Sequence, residues 1–410
     1  MVAAIQPLDE ISFIHPDAFL QGPPHEIWKR LRRERPVFWH QPVGPIPGHW
    51  AITKYDDIIE ISRQPTLFIS SKGITAGTNP DDPTSGVGKM LIVTDPPRHV
   101  RLRRLVNRSF TPRAVAQLEP RVRRITRDLI ARVAPKGSCD FVVEVSANLP
   151  LAVICELMGV PESDWPYMFA LTNRSLGADD PEYRTADSSQ ETFAQAQREM
   201  FQYFAELGRK RAANPHEDLL TTLLNAEVDG DKLTEEEILF FCFLLIVAGN
   251  ETTRNAISGG LLALIEHPEE KQKLLVHPEL LPSAVEEILR WTSPVMHMAR
   301  VATQDYVLRG QTIRAGDRVV MWYPSANRDE DVFPDGDRFR IDRQPNDHLA
   351  FGIGEHFCLG AALARQELRV MFDELLRALP DIELDGPVER LRSNFIGGIK
   401  HMPVRFTPRG

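Results

Sequence analysis

Cysteine is scarce: Cys139, Cys155, Cys242 and Cys358 are the four in 410 residues, and no two stand in a CxxC pair. Spacing that wide excludes a secreted disulfide framework and offers no cysteine zinc site, which points to a reducing compartment. Residues 1–10 contain no basic start leading into an apolar run, so neither a signal peptide nor a membrane anchor is expected. The longest apolar run, Ile238 to Gly249, is too short to span a bilayer before Asn250 and Glu251 interrupt it. Positive charge is not in surplus; a net charge of −9 argues against nucleic acid as a partner. Internal repeats and low-complexity tracts are lacking too. What remains, 42% hydrophobic and 26% charged, is ordinary for a soluble globular enzyme, and a cytoplasmic location is expected.

The chain changes texture twice. Residues 1–95 mix short elements: a helix over Glu26–Glu34, strands at Val37–His40 and Trp50–Ile52, and a helix through Ile58 and Ile61 opened by a Thr53/Asp56 capping box. Ser70–Gly88 is rich in Ser, Thr, Gly, Asp and Pro and reads as a long loop, either a lid or plain surface. Residues 96–295 are mostly helical. From 296 to 410 short strands return at Tyr306–Leu308, Gln311–Ile313 and Arg318–Tyr323. The expected class is mainly α with small β-sheets (α+β). Length alone suggests about two to three domains, but the chemical motifs scatter from His99 to Cys358, so a single folded unit over 1–410 is expected.

Four local patterns carry chemistry. In Phe351–Gly360 two glycines shape a tight loop that delivers Cys358 to the start of a helix, where free N–H groups favour a thiolate. Gly360 removes a side chain where something flat can approach. Such a thiolate is either a nucleophile or a metal ligand. In the second pattern, Thr234 and Glu237 cap a long helix running to about Glu266, and mid-helix it carries Gly249, Asn250, Glu251, Thr252 and Thr253. These residues work against helix stability, which suggests a site. Gly249 would admit a flat cofactor or dioxygen, Thr252 would hydrogen-bond a bound oxygen species, and Glu251 would relay protons. The alternative is that Glu251 pairs with Arg254 and the threonines bond back to carbonyls.

Third, Glu287 and Arg290 lie three apart on one helix face, where they can pair. Fourth, the helix after Asp95-Pro96-Pro97 puts His99 and Arg103 on one face and Arg101, Arg104 and Arg108 on the other.

The run Phe-Gly-x-Gly-x-His-x-Cys-x-Gly over 351–360 resembles the haem-binding loop of the cytochromes P450, and Ala248–Thr253 resembles that family's oxygen-activation motif. The resemblance covers about Asp95 to the C-terminus. It implies the P450 fold, with haem b (iron protoporphyrin IX) between the long central helix and the cysteine-loop helix. Cys358 would be the axial thiolate, which in this family pushes electron density towards iron and favours O–O cleavage. His99, Arg103, Arg300 and His356 would meet the haem propionates, and Phe351 belongs to the same loop. Glu287 and Arg290 would form a structural pair joined by Arg338.

The activity implied is monooxygenation of a hydrophobic small molecule, with pocket candidates Leu245, Ala248, Val295, Met296, Met298 and Ile396. Ser393–Ile396 and Ile399–Val404 are similar to members that oxidise terpenoids or sterol side chains. With no reductase domain after residue 410, electrons are expected from a ferredoxin or flavodoxin plus its reductase, docked on the outer arginines. No membrane contact is expected, and a monomer is. A peroxide-using haem enzyme and a non-catalytic haem sensor are the alternatives; the Glu251–Thr252 pair and the electron-transfer face count against both.

Overall fold

The long helix at Glu235–Glu266 sets the architecture of the computed structural model, which describes Leu8 and residues 12–409 apart from 45, 80 and 229. The stretch read for targeting signals thus lies outside the described residues except for Leu8, and so does position 80 of the long loop. The capping box forms: the Glu237 N–H donates to Thr234 Oγ1 at 3.2 Å and the Thr234 N–H to Glu237 Oε2 at 2.9 Å. Its 32 residues span about 48 Å at 1.5 Å each. Phe241, Cys242, Ile246, Ile257 and Leu261 are all buried, so most of the helix surface is enclosed. Helices at Asn148–Leu157, Trp165–Leu176, Ser189–Ala213, Leu281–Thr292 and Ala361–Ala378 pack around it.

A five-stranded sheet forms the second layer, in the order Val37–His40, His49–Ile52, Arg318–Trp322, His297–Ala302, Phe68–Ile69. Only the pairing of Arg318–Trp322 with His49–Ile52 is parallel. Alternation along Arg318–Trp322 divides its side chains between two cores. Val319 and Met321 join Ile52 and Phe68, while Val320 and Trp322 join Phe13 and Trp28. The expected pair at Tyr306–Leu308 and Gln311–Ile313 forms a small hairpin.

Two expectations are corrected by tertiary partners. The helix at Tyr55–Ser62 has no Thr53/Asp56 capping box; Asp329 accepts from the Tyr55 N–H at 3.0 Å, and Thr53 Oγ1 donates instead to the Pro36 carbonyl. Arg338 does not join the Glu287–Arg290 pair. Its side chain is exposed and only its carbonyl reaches inwards, accepting from Arg290 and Arg343. Arg343 occupies the third position, with Nε 3.1 Å from Glu287 Oε2. Glu287 and Arg290 are fully buried at 2.7 Å, and Arg290 also donates to the Asn327 and Gly336 carbonyls.

The first half of the Ser70–Gly88 loop is held in place. The Ser70 and Ser71 N–H groups donate to Asp95, the Ala299 N–H donates to the Ile74 carbonyl, and the buried Arg318 guanidinium donates to carbonyls of Lys72, Thr75, Ala76 and Thr78.

Candidate active site

Cys358 reaches its position through the loop's two left-handed glycines, Gly352 (φ 67°) and Gly354 (φ 78°). At Gly354 a side chain would also strike the Ser62 carbonyl, so the turn requires glycine there. The Cys358 N–H donates to the Phe351 carbonyl at 2.9 Å, closing the loop on itself. Two residues on, Gly360 begins the Ala361–Ala378 helix with no side-chain cap, and a Cβ built on it would meet nothing within 4 Å. Burial pushes the Cys358 thiol up, against the opposing pull of the Gly360 N–H and the Arg103 and Arg365 charges. The residue as a whole is only partly buried. A free thiolate nucleophile is therefore disfavoured here, whereas a metal cation would supply the missing counter-charge.

Beside the cysteine lies a cluster of two histidines and two arginines short of anions. His99 is buried with both ring nitrogens unpartnered, and its ring centroid is 4.3 Å from that of His356. Its nearest carboxylate oxygen, Glu355 Oε2, is 3.9 Å away. Burial, aided by Arg103, lowers the His99 pKa to about 4. Burial with Arg300, His99 and Arg103 lowers that of His356 to about 2. Arg103 donates to the carbonyls of Glu355 (3.1 Å) and Phe357 (2.7 Å), and the buried Arg300 donates to its neighbour's carbonyl, Ala299 O. Burial lowers the pKa of both arginines. The two desolvated guanidiniums need negative groups and the His99 ring needs a hydrogen-bond partner, and the carboxylates of a haem would meet both needs. Together with the bare surface at Gly360 and the Cys358 thiol, the residues fit haem b.

The central helix supplies the other wall. In a helix that is mostly buried, Leu244, Ala248 and Thr252, spaced by four, keep accessible surface, and Ala248 is exposed. Thr252 Oγ1 donates to the Ala248 carbonyl at 2.8 Å. Glu251 faces away from this stripe. It is buried against Arg254 Nη1 at 2.9 Å, and the same nitrogen donates to Asn173 Oδ1 at 2.7 Å. Burial raises the Glu251 pKa while Arg254 opposes the rise. Of the alternative reading of this motif, the Glu251–Arg254 pair is present, as is the bond back to a carbonyl for Thr252. Gly249 is corrected: a Cβ there would sit 3.1 Å from Ile154, so its bare backbone accommodates a neighbouring helix rather than a cofactor.

Among the pocket candidates, Val295 and Met298 keep accessible surface as Ala248 does. Leu245, Met296 and Ile396 are corrected to buried positions. Leu245 packs in the core around the central helix, Met296 packs with Trp28 and Trp322, and Ile396 bridges to Val295. Three contributors were missed. Arg365 stands 4.5 Å over the Phe351 ring and holds Glu286 with two bonds of 2.7 and 2.8 Å. Ser70 hydrogen-bonds His356 at 3.1 Å, and Asp95 fixes the backbone of Ser70. Their partners lie far off in sequence, so no local pattern marks them. On the outer face of the Arg98–Asn107 helix, Arg104 and Arg108 are exposed, as are Arg113 and, at 40%, Phe357 of the cysteine loop.

The family model for cytochrome P450 matches residues 154–380. A methyl-branched lipid omega-hydroxylase of Mycobacterium tuberculosis is 46% identical over 92% of this chain and 90% of its own. A steroid C26-monooxygenase of Mycolicibacterium smegmatis is 38% identical over 98% of this chain and 95% of its own. Among solved structures, a Mycobacterium marinum cytochrome P450 in complex with pseudoionone superposes with a TM-score of 0.91 at 37% identity, covering 98% of this chain and 100% of that one.

Proposed function

We propose, from the premise that the chain belongs to the cytochrome P450 family and is one of its haem b monooxygenases, that it hydroxylates a branched hydrophobic chain of isoprenoid or sterol side-chain type. The observation carrying the site assignment is that Cys358, presented by its glycine loop, lies beside an anion-poor cluster of His99, Arg103, Arg300 and His356, in which both His99 ring nitrogens are unpartnered. The substrate class rests on the relatives, which act on a methyl-branched lipid and on a steroid, and on the apolar surface at Ala248, Val295 and Met298.

Bound haem supplies the activation of dioxygen. Cys358 holds its iron as thiolate, with Arg103 and the Gly360 N–H supporting the negative charge. His99, Arg103, Arg300 and His356 orient the group by its carboxylates. The Thr252 hydroxyl proton is committed to the Ala248 carbonyl, which leaves Oγ1 as an acceptor towards the interior. Glu251 is the proton store; burial raises its pKa against the pull of Arg254. Electrons come from a separate acidic carrier of ferredoxin or flavodoxin type, docking on Arg104, Arg108 and Arg113 beside Phe357.

Two substitutions test the proton assignments in the haem-loaded enzyme. Thr252→Ala should lower product per electron several-fold and raise hydrogen peroxide release, with the haem spectrum unaltered. Glu251→Gln should slow turnover on the order of 10²-fold with an enlarged solvent isotope effect. Unchanged coupling and isotope effect in both would contradict the assignments.

A further inference from the structure

The connection between the Trp165–Leu176 and Ser189–Ala213 helices is fastened to the C-terminal strands by charge. Asp180 is buried; its carboxylate accepts from the N–H groups of Glu182 (3.0 Å) and Arg392 (2.9 Å) and from Lys400 Nζ (3.1 Å). Lys400 also reaches Glu182 at 2.9 Å. The next residue of that strand, His401, lies between two carboxylates from different parts of the chain. Its Nδ1 is 2.6 Å from Asp140 Oδ2 and its Nε2 is 3.1 Å from Glu182 Oε1. Asp140 cannot turn aside, because its other oxygen accepts from the N–H groups of Met402, Val142 and Val143. An ionised carboxylate only accepts hydrogen bonds, so both ring nitrogens must donate, which requires an imidazolium. A neutral ring, in either tautomer, would aim a lone pair at one of the two carboxylates.

What is fastened here touches the centre of the molecule. Tyr183, next to Glu182, packs on Gly177, where a Cβ would be 2.5 Å from the ring, and lies against Arg254, the partner of Glu251. The helix before the connection supplies Asn173 to the same arginine. The helix after it holds the Ser70–Gly88 loop, with Gln190 donating to Asp82 and Gln197 to the Thr84 carbonyl.

We propose that His401 is a protonation-controlled clasp: charged, it docks this connection and the two helices it joins onto the C-terminal strands; neutral, it releases them. The clasp is independent of the reaction assigned above. The carboxylates facing His401 favour the fastened state, while the Lys400 ammonium opposes it. Besides Asp140, Glu182 and Asp180, the carboxylates include Glu389, its register partner on the adjacent strand, and Glu144, which accepts from the Asp140 N–H and pairs with Lys136. Burial works against the ring's charge, but the hydrogen bonds to Asp140 and Glu182 outweigh it and raise the His401 pKa. A raised folded-state pKa means that the clasp is complete below the ordinary histidine value, about 6.5, and is lost as pH climbs through the folded value. Release therefore falls on the alkaline side of that value.

Hydrogen exchange on the full haem-loaded chain, corrected for intrinsic exchange rates, reads the clasp directly. From about pH 6 to about pH 9, protection of the 178–184 amides should fall several-fold in the wild type. In His401→Gln and in Glu182→Gln it should already be low at the acid end and flat across the series. The second variant keeps the histidine, so a folding defect peculiar to the first would not decide the outcome. A flat wild-type profile, or a fall that persists in both variants, would overturn the proposal.

Discussion

At the residue scale, the decisive distinctions are between neighbours that look alike in one dimension. Arg338, Arg340 and Arg343 all follow the Glu287 helix within a few residues of one another, yet only Arg343 turns inwards, at 5% exposure, to meet Glu287. Arg343→Ala should therefore destabilise by about 3–5 kcal/mol, because it leaves a buried carboxylate short of a partner. Arg338→Ala should stay within about 0.5 kcal/mol. Urea titration of both variants checks the pair; equal losses would contradict the assignment. The resemblance that suggested Arg338 identified the need for a second arginine but not which one, since the choice depends on the path of the chain through the Asp335 turn (φ 54°). Cys358, by contrast, was legible because its loop is a local structure: the glycines, the cysteine and the helix start lie within ten residues. His99 and Arg103 were placed on one face by helical spacing alone, and they do lie together.

At the element scale, the central helix owes its existence to its cap and its apolar length, and both were readable from Thr234 to Val247. Its glycines were not. Gly249 reads as room for a ligand, yet it meets a neighbouring helix at Ile154, and Gly260 meets another at Ile288. Gly260→Ala would place a methyl 2.6 Å from Ile288 and 2.9 Å from Phe372, and the overpacking should cost about 1–3 kcal/mol. A thermal midpoint equal to wild type would show that the three helices have slack at this crossing. The same lesson applies to Thr53, whose capping role passed to Asp329, more than two hundred residues later. Helix starts set by a local cap can be read in sequence, and those set by a tertiary acceptor cannot.

At the scale of the whole molecule, an acidic chain carries a basic face. Against a net charge of −9, Arg104, Arg108 and Arg113 are exposed on the segment whose Arg103 bonds the Phe357 carbonyl of the cysteine loop. Reversing two of them, Arg104→Glu with Arg108→Glu, should raise the KM for a reduced ferredoxin about tenfold or more and flatten its salt dependence. Turnover driven by an artificial reductant should be unaffected. If both electron sources lose activity equally, the face is structural. Among the described residues no helix is long and apolar enough to cross a membrane, in keeping with the reading of the central helix as an enclosed core element.

The proposed chemistry depends on Cys358 binding the iron. The absorption spectrum of the purified protein, reduced and exposed to carbon monoxide, tests that most directly. The account predicts a Soret band strongly shifted to the red, as thiolate ligation gives, and its loss in Cys358→Ser. A band at the position typical of histidine ligation, or a red-shifted band that survives Cys358→Ser, would contradict it.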